Sequence, residues 1–333
     1  MKIACFEVSE SEKEYFQKKF KEGFEVSFFD DPVQEIDLAK IKDAETLVIF
    51  IYSRITKEVL DQLPKLKFIS TMSTGFDHID IEECKKRNIL VATVPAYGEV
   101  TVAEHAFSLI FAISRRLIES YERVKNGDFN PEGLTGFDLF GKTLGVIGVG
   151  TIGCHVIRIA KGIGMDVLGY KRTPDEKLAK SLGFKFVEMD ELLNKSDIIT
   201  IHLPYCKETH HFINQESFKK MKNGAILINT ARGAIVDTGA LIEALNEGKV
   251  LAAGLDVLEE EPLLREEKEL LSKKFKKDDL VRTLENHILL NNPKVLITPH
   301  NAFNSREALE RILSTTGENI NGFMSGNHKN LVF

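Results

Sequence analysis

The sequence predicts an α/β protein with two domains, each built on a doubly wound parallel sheet, and a cleft between them. Short apolar runs rich in β-branched residues alternate with segments whose apolar residues recur at helical spacing. One such run, residues 46–52, is continuously apolar, as expected of a strand covered on both faces. A glycine-rich turn at residues 148–153 joins another run to a helical segment, and 333 residues suffice for two domains.

The first 100 residues alternate strands with helices. The strand predictions are residues 3–8, 25–29, 46–52, 68–72 and 89–94. The helix predictions are residues 9–21, 56–63 and 81–87. Pro64 ends the second helix, because proline has no backbone N–H to continue it. This repeated order implies a parallel sheet with helices on both faces.

A long helix is predicted at residues 100–125, before a polar, glycine-rich connecting loop at residues 126–140. Apolar residues recur along the helix at helical spacing. The segment is more apolar than a surface helix usually is. We therefore expect this helix to be buried, in part against a second subunit.

The remaining chain continues the alternation. The strand predictions are residues 144–149, 165–170, 184–187, 197–203, 224–230, 250–257 and 294–298. The helix predictions are residues 152–163, 189–195, 215–221, 239–247 and 305–322, and the Lys-, Glu- and Leu-rich residues 262–292 are expected to form a peripheral, solvated helical excursion. Because connections at a two-domain cleft commonly cross twice, the last helix is expected to return to the first domain. The predicted domains are a discontinuous first domain, residues 1–99 plus 301–333, and a second domain, residues 100–300.

Composition narrows the classes of partner. The net charge of −6 argues against nucleic acid, and no apolar run approaches the length of a membrane span. The first residues read as a strand and lack the pattern of a signal peptide, so a cytoplasmic location is expected. The four cysteines are scattered, which argues against a disulfide framework, and no ligand spacing indicates a metal site.

The segment at residues 144–160 predicts a dinucleotide site. Gly148 allows a tight turn after the strand, Gly150 lets backbone approach a pyrophosphate, and Gly153 lets helix and strand pack closely. The N-terminus of the following helix offers N–H groups and a partial positive charge to phosphates. The motif alone is weak evidence, but here strand, glycines, helix and a second strand come in the required order.

Three groups that could carry out hydride transfer to a 2-keto acid follow predicted strands. Arg232 offers a planar donor for the substrate carboxylate and ketone oxygen, and His300 titrates in the range needed to supply a proton. Glu261 would raise the pKa of His300 and fix its tautomer, whereas Asp256 would orient the nicotinamide amide. Since ligands of open parallel sheets bind beyond the carboxyl ends of the strands, these groups are expected to gather on one rim.

Each of these residues has a structural alternative. Arg232 could cap a strand end, His300 could be a satisfied core histidine, and Glu261 could belong to a solvated acidic face. His202 is expected nearer the cofactor than the substrate, and His210 and His211 enter a helix from a loop. None of these three histidines has a downstream carboxylate in a position comparable to that of Glu261.

The chain resembles the D-isomer-specific 2-hydroxyacid dehydrogenase family, in particular its D-lactate dehydrogenases. The resemblance covers nearly the whole chain. The motifs that carry it are residues 73–80 (STGFDHID), 94–97 (VPAY), 102–106 (VAEHA), 148–153, 202–204 (HLP) with Thr209, 228–233 (INTARG), 254–262 (GLDVLEEEP) and 297–300 (ITPH). The family implies two Rossmann-like domains, the substrate domain being built from both ends of the chain. It also implies a homodimer held by the 100–125 segment, and a small 2-keto or 2-hydroxy acid as substrate.

The resemblance also implies roles for individual residues. Arg232, Glu261 and His300 become the catalytic group, and His78 and His105 belong to structural motifs. The implied substrate contacts are Tyr52, Thr74, Gly75, Tyr97 and Phe303. The implied cofactor contacts are Thr101, Gly148, Gly150, Thr151, Ile152, Gly153, Lys171, Arg172, His202, Pro204, Thr209, Thr230, Ala231, Arg232, Asp256 and His300.

One departure from the family affects the cofactor. NAD-specific members place an acid about 20 residues past the glycines to bind the ribose 2′-OH. Here Lys171 and Arg172 stand at that position. The predicted cofactor is NAD(H). The two cations could pair with a 2′-phosphate, so use of NADP(H) is an additional hypothesis. Lys171 pointing to solvent, with NAD(H) bound through other contacts, is the alternative.

Three functions remain open from the sequence. The first is a D-lactate dehydrogenase that reduces pyruvate, since the aromatic walls at Tyr52 and Phe303 suit a methyl group. The second is an NADPH-dependent glyoxylate/hydroxypyruvate reductase. The third, from another class, is an NAD(H)-sensing binding protein like the co-repressors built on this fold, against which the complete set Arg232, Glu261 and His300 stands.

Overall fold

The computed structural model of the protein describes residues 1–20, 23–259 and 277–333, and it divides the chain into two compact units. The first unit comprises Met1–Tyr97 and Asn304–Phe333, and the second comprises Gly98–Phe303. Within the described residues, no helix has both the length and the apolar character needed to cross a membrane.

The first unit contains a five-stranded parallel sheet with strand order β2-β1-β3-β4-β5. Its strands are β1 (Lys2–Phe6), β2 (Glu25–Phe29), β3 (Thr46–Ile49), β4 (Phe68–Thr71) and β5 (Leu90–Ala92). Its helices are α1 (Glu10–Lys19), α2 (Lys57–Asp61), α3 (Ile81–Lys86) and, after the second unit, α12 (Arg306–Ser325). β3 and β4 are buried along their whole length, as expected of inner strands of a parallel sheet.

The second unit contains a seven-stranded parallel sheet with strand order β12-β11-β10-β9-β6-β7-β8. Its strands are β6 (Thr143–Ile147), β7 (Asp166–Tyr170), β8 (Lys185–Phe186), β9 (Ile198–Ile201), β10 (Ala225–Asn229), β11 (Val250–Leu255) and β12 (Val295–Ile297). Its helices are α4 (Glu99–Ser114), α5 (Leu117–Lys125), α6 (Thr151–Ile163), α7 (Glu176–Leu182), α8 (Met189–Lys195), α9 (Gln215–Lys220), α10 (Thr238–Asn246) and α11 (Lys277–Leu290). The predicted fold class, two parallel-sheet α/β domains, is confirmed.

Two hydrophobic clusters cover the two faces of the larger sheet, and a third fills the smaller unit. Leu227 of β10 and Leu241 of α10 belong to one cluster, and Val146 of β6 and Ile157 of α6 belong to the other. Burial of such aliphatic side chains supplies the main driving force for assembling each unit. The loops at the carboxyl edges of the strands hold the predicted site residues.

The predicted single helix at residues 100–125 is wrong in one respect, because the chain breaks between α4 and α5. Arg116 adopts a left-handed backbone with φ 50°. The carbonyl of Ser114 accepts the N–H of Phe137 at 2.9 Å instead of an N–H one turn further along the helix. Gly136 packs on the same carbonyl so closely that a Cβ there would lie 2.2 Å from it. A loop 22 to 23 residues away in sequence thus ends α4, and no local pattern shows it.

Other differences are smaller. β3 ends at Ile49 and not at residue 52, because backbone N–H groups of the next residues turn toward the side chain of Glu7. The pattern predicts no helix between β7 and β8, where α7 lies. Of the excursion predicted at residues 262–292, only the part from residue 277 is described, and there α11 confirms a helix whose Leu289 joins the core.

Candidate active site

Arg232, Asp256 and His300 lie at the ends of three neighbouring strands. Arg232 follows β10, Asp256 follows β11 and His300 follows β12. β10 pairs with β11 and β11 with β12, all in parallel. The three residues therefore share the carboxyl edge of one sheet, the edge at which such sheets bind ligands.

Asn229 shapes the turn that presents Arg232, a role that the sequence analysis missed. Its buried side chain accepts the N–H of Ala231 at 3.0 Å and donates to the carbonyl of Arg232 at 2.9 Å. Nη1 of Arg232 donates to the carbonyl of Ala231 at 2.8 Å. An asparagine at the end of a strand is typical of such a turn, so the signal was present in the sequence.

Asp256 organises the turn that carries His300. The Asp256 side chain is 1% exposed, and its Oδ1 accepts the hydroxyl of Thr298 at 2.5 Å and the N–H of Asn301 at 3.0 Å. Oδ2 accepts the N–H of Ala302 at 2.9 Å, and the backbone carbonyl accepts the N–H of His300. His300 has a left-handed backbone with φ 51°, which these contacts maintain.

His105 of α4 adds a second support to the same turn. Its Nε2 lies 3.0 Å from the hydroxyl of Thr298 and 3.4 Å from Oδ1 of Asp256. This contact agrees with the structural role that the family resemblance implies for His105. From the sequence, the side chain of Asp256 was expected to orient the nicotinamide amide. In the structure its carboxylate instead accepts hydrogen bonds from the turn that carries His300.

His211 has a downstream carboxylate partner, although the sequence led us to expect none in a position comparable to that of Glu261. Glu259 is 6% exposed, and its Oε1 accepts a hydrogen bond from Nε2 of His211 at 2.8 Å. Its Oε2 accepts the hydroxyl of Thr238 at 2.9 Å and lies 3.4 Å from NH1 of Arg282. Glu259 is therefore not part of a solvated acidic face. Glu261, the predicted partner of His300, lies outside the described residues.

The backbone around Glu259 packs on the turn of Arg232. A Cβ on Gly233 would lie 2.0 Å from the carbonyl carbon of Leu258, so only glycine fits there. The N–H of His211 donates to the carbonyl of Ala234 at 2.9 Å. His211 thus ties the 233–235 turn to the chain that leads toward Glu261.

His210, His211 and Glu259 place three potential metal-ligand atoms within 4.8 Å of one another. The two imidazole rings are stacked, with centroids 4.0 Å apart and planes 19° apart. Nearly parallel rings direct their lone pairs into separate planes, which suits one ion poorly. The hydrogen bond between His211 and Glu259 already accounts for this group.

The glycine turn after β6 fits a dinucleotide. α6 begins at the carboxyl edge with Gly150 as its N-cap. No side chain caps the helix, so its first N–H groups have no side-chain acceptor there. A Cβ on exposed Gly150 would meet no atom within 4 Å. By contrast, a Cβ on Gly148 or Gly153 would lie 2.5 Å from a backbone oxygen. The space beside Gly150 is open, and Thr151 and Ile152 begin the helix there.

Three buried polar atoms at the same edge have no partner among the described residues: Nδ1 of His202, after β9, the hydroxyl of Thr230, after β10, and Oδ1 of Asn301, after β12. Burial lowers the pKa of His202 to about 3, so its imidazole is neutral near pH 7. Unpaired buried groups at a strand edge are expected where a ligand supplies the partner. They support a cofactor site here, and Ala231, next to Thr230, flanks it.

The remaining predicted cofactor contacts lie on other segments of the second unit. Thr209 closes the loop after His202, since its hydroxyl donates to the carbonyl of Pro204 at 2.9 Å. Thr101 lies in the first turn of α4. Lys171 and Arg172 directly follow β7 and are exposed.

The predicted substrate contacts of the first unit follow β3, β4 and β5. The hydroxyl of Thr74 donates to the carbonyl of Val94 at 2.8 Å, and that of Ser73 donates to the carbonyl of Gly75 at 2.6 Å. Across the described ranges, no backbone carbonyl accepts the N–H groups of Thr74 and Gly75. Tyr52 and Tyr97 are half-buried near strand ends, and the last predicted contact, Phe303, is half-buried three residues after His300.

The chain was compared with known proteins. Residues 107–302 match the family described as D-isomer specific 2-hydroxyacid dehydrogenase, NAD binding domain. The chain is 37% identical over 330 residues to the D-lactate dehydrogenase of Escherichia coli K12, with 98% of each chain covered. It is 36% identical over 315 residues to the glyoxylate reductase of Korarchaeum cryptofilum, with 92% of this chain and 89% of the relative covered. The crystal structure of D-lactate dehydrogenase from Aquifex aeolicus complexed with NAD and lactic acid has a TM-score of 0.89 at 38% identity and covers 99% of this chain and 98% of its own.

Proposed function

Because the chain belongs to the D-isomer-specific 2-hydroxyacid dehydrogenase family, we propose that it is a D-lactate dehydrogenase that reduces pyruvate to D-lactate with NADH. The observation that carries this proposal is the placement of Arg232 and His300 at one carboxyl edge, in a chain that matches D-lactate dehydrogenases over its whole length. The uncapped α6 and the unpaired atoms of His202 and Thr230 support NAD(H) as the cofactor.

In the proposed reaction Arg232 binds the substrate carboxylate and the ketone oxygen, because a guanidinium donates two hydrogen bonds in one plane. The N–H groups of Thr74 and Gly75 bind the carboxylate as well. Bound NADH supplies the hydride from C4 of its nicotinamide ring. His300 donates the proton to the ketone oxygen, and Glu261 stabilises the protonated imidazole. The first unit thus provides substrate contacts and the second binds the dinucleotide.

A rate measurement at 340 nm tests the proposal. Pyruvate, glyoxylate and hydroxypyruvate are each offered with NADH and with NADPH, and pyruvate with NADH should give the highest kcat/KM. His300→Ala should lower kcat by about 10²-fold or more, because general acid catalysis contributes at least that much. An unchanged rate in this variant would refute the proposed role of His300, and a wild type that turns over none of these substrates would favour the NAD(H)-sensing protein.

A second candidate function is an NADPH-dependent glyoxylate/hydroxypyruvate reductase. It is favoured by exposed Lys171 and Arg172 after β7 and by the similarity to glyoxylate reductases. The ratio of the two kcat/KM values decides whether NADP(H) is used. A preference for NADH above about 100-fold, or about 2.7 kcal/mol, would remove this role of Lys171 and Arg172.

We further propose that the protein is a cytoplasmic homodimer. A face of exposed apolar side chains on α4 and α5 supports the dimer, since a patch of this kind marks an interaction surface. Its members are Phe111, Leu117, Ile118, Tyr121 and Val124. The cytoplasmic location agrees with the expected use of NADH and a small metabolite, and fractionation of cells that express the protein would test it.

A further inference from the structure

The carboxylate of Glu7 lies at the carboxyl edge of the smaller sheet, directly after β1. It accepts three backbone N–H groups of the loop after β3: Phe50 at 3.2 Å, Tyr52 at 2.9 Å and Ser53 at 2.9 Å. Glu7 has a left-handed backbone with φ 57°, which non-glycine residues rarely adopt. Burial raises the pKa of Glu7 despite these donors, so this is not an ordinary surface acid.

The same loop is held from a second side. The side-chain amide of Gln34 donates to the carbonyl of Tyr52 at 2.9 Å and accepts the N–H of Arg54 at 3.0 Å. The hydroxyl of buried Ser53 accepts the N–H of Val33 at 3.1 Å. The backbone before and after Tyr52 is therefore held by the side chains of Glu7 and Gln34, which are distant in sequence.

Glu7 and Tyr52 occupy a position where a ligand is expected. In the strand order β2-β1-β3-β4-β5, β2 lies on one side of β1 and β3 to β5 lie on the other, so the order in which strands are added reverses between β1 and β3. Open parallel sheets bind ligands beyond the carboxyl ends of the strands at such a switch point. Glu7 follows one of these two strands and Tyr52 follows the other.

We propose that Glu7 is a positioning residue for substrate selectivity, whose carboxylate holds the 50–53 loop so that Tyr52 restricts the site to 2-keto acids with a short side chain. This inference rests on the proposed function and on the substrate contact that the family resemblance implies for Tyr52. A carboxylate suits the role because it only accepts hydrogen bonds and offers about four lone pairs to the three N–H groups.

Glu7→Gln tests the inference, because it keeps the size of the side chain and replaces one accepting oxygen with a donating NH2. Glu45→Gln is the matched control, since Glu45 lies at the opposite edge of the same sheet and accepts the N–H of Lys2 at 3.4 Å and Nζ of Lys67 at 3.1 Å. The kcat/KM values for pyruvate and for phenylpyruvate are measured with NADH. Glu7→Gln should lower the pyruvate-to-phenylpyruvate ratio at least tenfold, mainly through KM, and Glu45→Gln should leave it within twofold. An unchanged ratio in Glu7→Gln overturns the proposal.

A second readout does not depend on activity. The chain contains no tryptophan, so Tyr52→Trp introduces a single tryptophan at the loop, which is excited selectively above the tyrosine absorption band. Adding Glu7→Gln should raise its acrylamide quenching constant at least twofold, and an unchanged constant overturns the proposal. Raised quenching in a protein that reduces no 2-keto acid would refute the proposed function and leave the loop contact standing. If Glu7→Gln fails to fold, Glu7→Asp, which is one methylene shorter, is measured in the same way.

Discussion

At the scale of single residues, Asp256 shows how one buried carboxylate holds the turn that carries His300. Its two oxygens accept one hydroxyl and two backbone N–H groups of residues 298–302. His300 carries a strained backbone in the middle of that turn. Removing any of these acceptors leaves a buried donor unpaired, which costs about 1–3 kcal/mol.

Asp256→Asn is therefore expected to lower kcat by about 10–10²-fold, because its amide NH2 faces N–H donors and the His300 turn loosens. Steady-state kinetics and the thermal unfolding midpoint are measured together. Asp80→Asn is the control, since Asp80 caps α3 by accepting the N–H of Glu83 and asparagine caps equally well. A normal kcat in Asp256→Asn would show that the turn keeps its shape without this carboxylate.

His202 predicts a pH dependence of stability. Its pKa is lowered to about 3 in the folded protein, against an ordinary value of 6.5. Between these pH values the unfolded chain binds a proton at His202 that the folded chain does not bind. Stability should therefore fall as the pH drops below 6.5, by up to about 1.4 kcal/mol per pH unit from this residue.

Urea unfolding from pH 7 to pH 4.5 checks this expectation. His202→Gln should show a shallower loss of stability over that range than the wild type. His328→Gln, in which an exposed histidine is replaced, is the control. Parallel curves for His202→Gln and the wild type would contradict the assignment.

At the scale of elements, the strand–turn–helix unit β6–α6 contains glycines that are needed for two different reasons. Gly153 lies where a Cβ would be 2.5 Å from the carbonyl oxygen of Gly148, which is a packing requirement. Gly150 borders open space, so its missing side chain serves the ligand and not the fold. The same motif thus contains one residue that stabilises the unit and one that leaves room for pyrophosphate.

The two alanine variants should differ in kind. Gly153→Ala should lower the free energy of unfolding by about 1–3 kcal/mol, because backbone must shift. Gly150→Ala should keep it within about 1 kcal/mol of the wild type and raise KM for NADH at least tenfold. Denaturant unfolding and NADH titration of the rate separate the two effects. Normal NADH affinity in Gly150→Ala would place the pyrophosphate elsewhere.

At the scale of the whole molecule, α5 stands out because contacts within the single chain bury none of its side chains. None of its residues is buried, and Tyr121 is 66% exposed. The sequence analysis expected the 100–125 segment to be buried in part against a second subunit. In the structure α4 packs within its own unit, and α5 leaves the apolar face for which a dimer is proposed.

Light scattering coupled to size exclusion tests the dimer. The wild type should have twice the mass of one chain, and the double variant Ile118→Glu/Tyr121→Glu should have the mass of one chain, because two carboxylates would be buried in the interface. Leu284→Glu is the control, since Leu284 is an exposed leucine on α11. A dimer that survives the double variant would move the interface to another surface.

The sequence alone predicted the fold class, the family and the dinucleotide motif, because each depends on local chemistry. β-Branched runs favour strands, glycines permit tight turns and close approach, and helical spacing marks amphipathic segments. The same reasoning placed Arg232 and His300 directly after strands. Substrate binding by Arg232 and proton donation by His300 remain predictions.

Tertiary structure alone decided which side chains support those residues. Glu7 binds a loop 45 residues away, His211 pairs with Glu259 across 48 residues, and Asp256 holds a turn 42 to 46 residues further on. The helix break after Ser114 likewise depends on a distant loop. Such contacts form only when parallel strands bring separate loops to one edge of a sheet, and a linear pattern contains no trace of that pairing.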